Sequence, residues 1–229
     1  MKNAILLLLS LFFLARSLHA QEARSFRKFG LGIYGGPQIL GKIYDNDKLS
    51  KISGAAVGLD FRYAFSKEPQ GFSLHFQPAF NSFREFSSEG ANTQVYRETT
   101  WRWKAFHLPL LARYTISSGK VRPFAELGPM LRFRTALTVK QGGTICGVAG
   151  CGPIGLADNI HPETSRDPVG FIAGAGVEVD LWKITVPVAV RIQEGFGTYK
   201  MESVRYDGPY YYEKFKTRTI QVTVGVAWP

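Results

Sequence analysis

The sequence predicts an all-β protein, an eight-stranded antiparallel up-and-down transmembrane β-barrel with short periplasmic turns and four long extracellular loops. Three observations carry this expectation. Apolar residues alternate with a period of two through eight segments, and the connections between segments alternate long and short. The less apolar face of the segments is crowded with glycine and alanine, which weaken a solvated strand but make room inside a narrow ring.

The clearest hairpin runs from Trp101 to Phe133. Phe106, Leu108, Leu110, Ala112, Tyr114 and Ile116 share one face of its first strand, and His107, Pro109, Leu111, Arg113 and Thr115 share the other. Ser117-Ser118-Gly119-Lys120 supplies turn chemistry, and the return strand alternates Val121, Pro123, Ala125 and Leu127 with Arg122, Phe124, Glu126 and Gly128. The first strand of the chain is expected near Phe29 to Gln38, and the second over Ser53 to Phe65, with Val57, Leu59 and Phe61 opposed by Gly58, Asp60 and Arg62. The third runs from Phe72 to about Arg84. Strands six and seven, Val169 to Leu181 and Ile184 to Gln193, meet at a tight turn around Trp182-Lys183. The eighth runs from Thr219 to Trp228. Polar stretches at Gly41–Lys51, Glu85–Arg97, Lys140–Asp167 and Gly195–Lys216 read as the long loops. Pro78, Pro109, Pro123, Pro129 and Pro187 lack the donor a closed ring requires, so bulges or rims are expected there.

Residues 1–20 read as a signal peptide: Lys2, an apolar run from Ala4 to Ala15, and small residues before the cut. Residues 21–229 then form one β-barrel domain exported to the outer membrane of a Gram-negative bacterium. The formal charge of +10 falls to +8 once Lys2 and Arg16 are removed. With no basic helix or recognition motif, nucleic acid is excluded as a partner, and anionic lipid headgroups or surface polysaccharide suit the excess better. Cys146 and Cys151 lie in a glycine-rich stretch and are expected to staple that loop as a disulfide. Two thiols make a poor metal site, and no cofactor is expected.

Alternation leaves the sidedness of the ring open. The long-loop rim, the small residues on the polar face and the aromatics near strand ends favour apolar side chains outward against lipid. Phe65, Trp101, Trp103, Trp182 and Trp228 are the expected girdles. Asp60, Arg62, Arg113, Arg122, Glu126, Arg132, Arg134, Glu178, Asp180 and Arg191 then point inward, where they must pair in a hydrogen-bonded ionic network that fills the lumen. Tyr199, Arg205, Tyr206, Tyr210, Tyr211 and Tyr212 are candidate binding residues on the last long loop.

The run Phe106-His107-Leu108-Pro109-Leu110-Leu111-Ala112-Arg113-Tyr114, then Gly119-Lys120-Val121-Arg122-Pro123-Phe124 and Gly128-Pro129, resembles the PorT-like outer-membrane β-barrel family. The resemblance implies an eight-stranded barrel with no shared catalytic residues. It also implies outer-membrane lipid as surroundings and the outer-membrane insertion machinery as a partner during biogenesis.

Four functions are weighed, the last being leakage of small solutes through the ring. The leading one is a non-enzymatic barrel whose loops bind an envelope protein or surface glycan, or simply cover the surface. A second is an accessory role in protein secretion or envelope assembly, as the resemblance implies. The third is a lipid-modifying enzyme, for which Ser73 and His75 share a face with no partner acid evident.

Overall fold

The structure, a computed structural model, describes residues 28–44, 49–90, 94–148, 150–153, 158–160, 169–181, 183–197, 199–203 and 211–228. The expected signal peptide and Trp182, Arg205, Tyr206 and Tyr210 lie outside these residues.

Twelve strands form one antiparallel sheet: β1 (Phe29–Tyr44), β2 (Leu49–Ala64), β3 (Gly71–Phe76), β4 (Ala79–Glu89), β5 (Val95–Thr115), β6 (Val121–Gly147), β7 (Gly150–Pro153), β8 (Asp158–Ile160), β9 (Val169–Leu181), β10 (Ile184–Gly195), β11 (Tyr199–Ser203) and β12 (Tyr211–Trp228). The sequence gives reason to expect eight. The difference has two sources. The third expected strand is divided at Gln77-Pro78, and β7, β8 and β11 occupy segments that read as loops.

The division is local. Phe61 pairs with Phe76 before the break and Gly58 with Ala79 after it, so β2 advances three residues while its partner advances three. Pro78 has no N–H to give, but its carbonyl accepts from Leu59 N (3.0 Å), and Gln77 N donates to the Pro109 carbonyl (3.0 Å). Two hydrogen bonds therefore carry the ladder across the gap, and β3 and β4 act as one stave. Pro123 is likewise used as an acceptor, from Ile116 N at 2.9 Å.

Partner residues can be followed right round the sheet. Phe29 pairs with Tyr63, Tyr63 with Leu74, Leu74 with Ala112, Ala112 with Leu127, Leu127 with Ala173, Ala173 with Ile192, Ile192 with Ile220, and Ile220 with Ile39. The walk returns to β1 ten residues from where it left, from Phe29 to Ile39.

Sequence explains the short connections. Ser66 Oγ accepts from Glu68 N (3.0 Å) and Ser117 Oγ from Gly119 N (3.2 Å), each a hydroxyl closing its own turn. Gly71 takes φ +117°, which favours glycine. Leu31 pairs with Trp228, so both ends of the sheet lie at this short-turn rim.

The two faces differ as the alternation requires. Phe29, Val57, Phe72, Leu127 and Val224 are exposed, while Asp60, His75, Arg113, Glu126 and Arg191 are buried. Aromatic rings cross the inner face over glycines. A Cβ on Gly58 would lie 2.8 Å from Tyr34 Cε1, and one on Gly176 would lie 2.7 Å from Phe124 Cζ and 2.2 Å from the Val188 carbonyl. Both positions are glycine because the ring needs the space.

Gly176→Val should therefore lower folded stability by about 1–3 kcal/mol through overpacking. The check is the midpoint of urea unfolding in lipid vesicles, compared with Ala175→Val on the exposed face, which should leave it nearly unchanged.

Candidate functional site: the buried charge network

The inner face of β5, β6, β9 and β10 assembles an ionic cluster. Arg113 on β5 donates through Nε (3.1 Å) and Nη2 (2.8 Å) to Glu126 Oε2 on β6, and through Nη1 to Glu178 Oε1 on β9 (2.7 Å). Arg191 Nε on β10 donates to Glu126 Oε1 at 2.6 Å. Arg122 donates to Glu178 Oε2 through Nη2 (3.2 Å) and to both oxygens of Asp180, whose Oδ1 also accepts from the Thr185 hydroxyl (2.6 Å). The Glu126 side chain is 0% exposed and that of Arg113 2%. At such burial each charge is tolerable only because its partner's charge and hydrogen bonds replace water.

Aromatic faces complete the cluster. The Arg113 guanidinium carbon lies 4.0 Å from the centre of the Phe124 ring, and that of Arg191 lies 5.2 Å from the Tyr34 ring. Tyr34 donates its hydroxyl to the Gln77 carbonyl at 3.1 Å.

A second chain of hydrogen bonds joins β2 to β3. His75 Nδ1 lies 2.9 Å from Asp60 Oδ1, and Ser73 Oγ lies 3.0 Å from His75 Nε2. Asp60 accepts from a protonated Nδ1, which leaves Nε2 to accept from the Ser73 hydroxyl. The acid missing from the sequence reading is thus Asp60. Arg62 pairs directly with His75 across the strands, which makes Asp60 the diagonal neighbour on the same face. Knowing the register would have revealed it.

Other expected residues are distributed as follows. Arg132 Nη1 donates to Thr217 Oγ1 at 3.0 Å, nearer the long-loop rim, and Arg62 is buried opposite His75. The side chain of Arg134 lies outside the described residues; its backbone pairs with Ala105. Phe65 and Trp228 are exposed near the short-turn rim. Trp103 is a correction. It is 9% exposed and packs inside with Leu40, Ile52 and Phe83, with Trp101 against them. Both tryptophans share parity with His107 and Arg113, so they face inward and close the long-loop end instead of meeting lipid. A further apolar cluster, Leu111, Met130 and Ile172, also lies within. The inner face is layered rather than uniformly polar.

Cys146 and Cys151 are directly opposed partners on β6 and β7 and are joined by a disulfide. Tyr199 lies on β11, and Tyr211 and Tyr212 on β12, where Ser203 pairs with Tyr211 and Tyr199 with Phe215. The expected loop is therefore in part a hairpin, and the side chains of these tyrosines lie outside the described residues.

The model of the family described as outer membrane protein beta-barrel domain matches residues 4–227. The chain belongs to that family. Membership of this outer membrane β-barrel family implies the outer membrane of a Gram-negative cell. Comparison with curated proteins finds no match. Similar solved structures include Neisserial surface protein A, at 12% identity over 86% of this chain and 96% of that one, with a TM-score of 0.44. Ail, the attachment invasion locus protein of Yersinia pestis, in complex with the heparin analogue sucrose octasulfate, shows 10% identity over 88% and 100%, TM-score 0.43. Outer membrane protein AlkL, solved by solid-state NMR in DMPC lipid bilayers, shows 10% over 91% and 93%, TM-score 0.45.

Removing one partner from the buried cluster of this outer membrane protein beta-barrel domain should be costly. Glu126→Gln leaves Arg113 and Arg191 facing each other across a neutral amide, an expected loss of about 3–5 kcal/mol. Asp180→Asn, at the more exposed end of the cluster, should cost clearly less. Urea midpoints of the two variants in lipid vesicles give the ranking.

Proposed function

We propose that this outer membrane protein beta-barrel domain is an eight-stave up-and-down barrel of the PorT-like kind with a filled lumen. We propose further that it acts without enzymatic chemistry, through the surface it presents outside the bilayer. The observation that carries the reading is the buried Arg113–Glu126–Arg191 cluster inside a ring of partners that closes on itself.

Eight staves are reached by taking β3 with β4 as one and treating β7, β8 and β11 as extensions beyond the membrane. Ten residues of stagger over eight staves, with a rise of ~3.3 Å per residue and strands ~4.8 Å apart, correspond to a tilt of roughly 40°. A ring of that size is filled by side chains and leaves no aqueous channel. The cavities among the described inner residues are small, each with room for about one water molecule. The exposed belt of phenylalanine, leucine, isoleucine and valine then faces lipid, and the strand extensions beyond it form the surface open to an envelope protein or a glycan.

The Ser73–His75–Asp60 chain belongs to the filling in this reading. Its members are all buried, Ser73 at 8% exposed. A nucleophile needs a site for its substrate beside the hydroxyl, and the space lined by Ser73, Arg62, Thr115 and Glu178 has room for about one water molecule, which supports the non-enzymatic reading.

Three measurements test the proposal. The purified protein should migrate faster unheated than boiled on a denaturing gel. Planar bilayers holding it should show no conductance steps, since steady unitary currents would contradict a filled lumen. Ser73 should resist a fluorophosphonate probe, and labelling abolished by Ser73→Ala would establish a reactive serine and overturn the non-enzymatic reading.

A further inference from the structure

The outward face of β4, β5 and β6 changes character within a few residues. Phe80, Phe106 and Phe133 are partners across the three strands, and all are exposed. Two residues further towards the long-loop rim, Ser82 pairs with Lys104; two further again, Arg84 pairs directly with Arg102; beyond them Lys140 pairs with Thr100. Arg84, Arg102, Lys104 and Lys140 are all exposed on the face that carries the phenylalanines. Along β5, Lys104 and Arg102 stand about 7 and 13 Å from Phe106.

Like charges directly opposed on neighbouring strands are destabilising, and they draw a counter-ion. Arg84, Arg102 and Lys104 have no side-chain hydrogen bond or ion pair among the described residues, whereas Lys140 is directly opposed by Asp158 on β8. The nearest acid described on this face of β5 is Glu98, four residues beyond Arg102, and its carboxylate accepts from the Tyr96 hydroxyl at 2.5 Å. The opposite side of the sheet differs. There Arg218 on β12, beyond the exposed Ile220, is neutralised by Glu194 at 2.6 Å. Lys216 is also exposed there and Lys200 opposes Lys214, but these stand further from the belt, so Arg84 opposite Arg102 is distinguished by lying immediately above the phenylalanines.

We propose that Arg84, Arg102 and Lys104 form a binding site for the phosphate groups of the glycolipid of the outer leaflet, with its acyl chains against Phe80, Phe106 and Phe133. The proposal rests on the barrel reading above, which places the long-loop rim outside and this belt in the bilayer. Charge complementarity selects an anion, and the adjoining phenylalanines select one attached to acyl chains. The three cations extend about 7 Å along β5 and about 5 Å across to β4, which suits a lipid with more than one phosphate better than one with a single diester. Guanidinium pairs are suited to bidentate phosphate recognition.

The test uses the full mature chain in detergent and native mass spectrometry with three probes: bisphosphorylated lipid A, the same glycolipid dephosphorylated, and phosphatidylglycerol. Bisphosphorylated lipid A should be retained at least tenfold more than either other probe. Arg84→Gln/Arg102→Gln/Lys104→Gln should reduce its retention to the level of the dephosphorylated form, and Lys216→Gln/Arg218→Gln should leave it unchanged. Equal retention of all three probes, undiminished retention by the triple variant, or equal loss in both variants overturns the site. The comparison of probes on the unaltered protein decides the matter even where the triple variant fails to insert. Failure of heat-modifiable migration in the unaltered protein would instead remove the barrel reading on which the site depends.

Discussion

Glu126 sits between two guanidinium groups in a space that excludes the water a carboxylate would otherwise hold, and the architecture around it answers to that constraint. Arg113, Glu126, Glu178 and Arg191 come from four different strands, and Arg113 bonds Glu178 across 65 residues of sequence. These bonds exist only when β5, β6, β9 and β10 are in register. Conversely, a register slip of one residue on any of these strands would turn the charges out to lipid and the valines in, so the ionic cluster selects one register among many that satisfy the backbone equally. Packing around the cluster is tuned to the same end. Phe124 and Tyr34 lie over glycines, and their faces receive the two arginines. Small residue, ring and cation stack inward from the wall, which is how a narrow interior accommodates long side chains.

Much of the fold was legible because the bilayer imposes opposite demands on the two faces of each strand. From Ala55 to Phe65, or Phe106 to Ile116, every second residue is apolar, and the period identifies both the strand and its outward side. Where the strands leave lipid, both faces are wet and the alternation fades. For that reason the extension of β5 back to Val95, that of β6 forward to Gly147 and the hairpin of β11 with β12 carry no strand signal in the sequence. The backbone pairs on regardless, since ladder hydrogen bonds do not require an apolar face. The break at Gln77-Pro78 was invisible for a different reason. Proline removes a donor without altering the side-chain pattern on either side.

Within the interior, residue type and parity pointed to the ionic residues, but parity alone does not say who meets whom. Asp60 and His75 needed the register of β2 on β3 before they became partners. Trp101 and Trp103 show the opposite failure. Their parity with His107 places them inside, whereas the general preference of tryptophan for membrane interfaces points outward. Phase is the stronger evidence, because a side chain cannot change faces without a bulge, and the irregularity in this pair of strands falls at Lys104/Ala105 on the β5–β6 register without moving Trp103 off the inner face.

The layering along the axis bears on where any activity resides. From the short-turn rim inward come Asp180 and Arg122, then the Glu126 cluster, then Leu111 with Met130 and Ile172, and at the long-loop end Trp103 with Leu40, Ile52 and Phe83. Two apolar layers lie beyond the charged one. The first of them shares the interior with polar side chains: Gln193, the ladder partner of Ile172, donates to Gln221 at 2.8 Å, and Gln77 and Asn81 are buried on the same face. Both clusters narrow the interior at their own levels. The surfaces that remain are the lipid-facing wall and the strand extensions above it, and along β5 the wall passes from Leu110 and Phe106 to Lys104 and Arg102 on a single face. That change of chemistry at constant parity marks where the strand meets a new environment, and the proposed recognition surface is placed there for that reason.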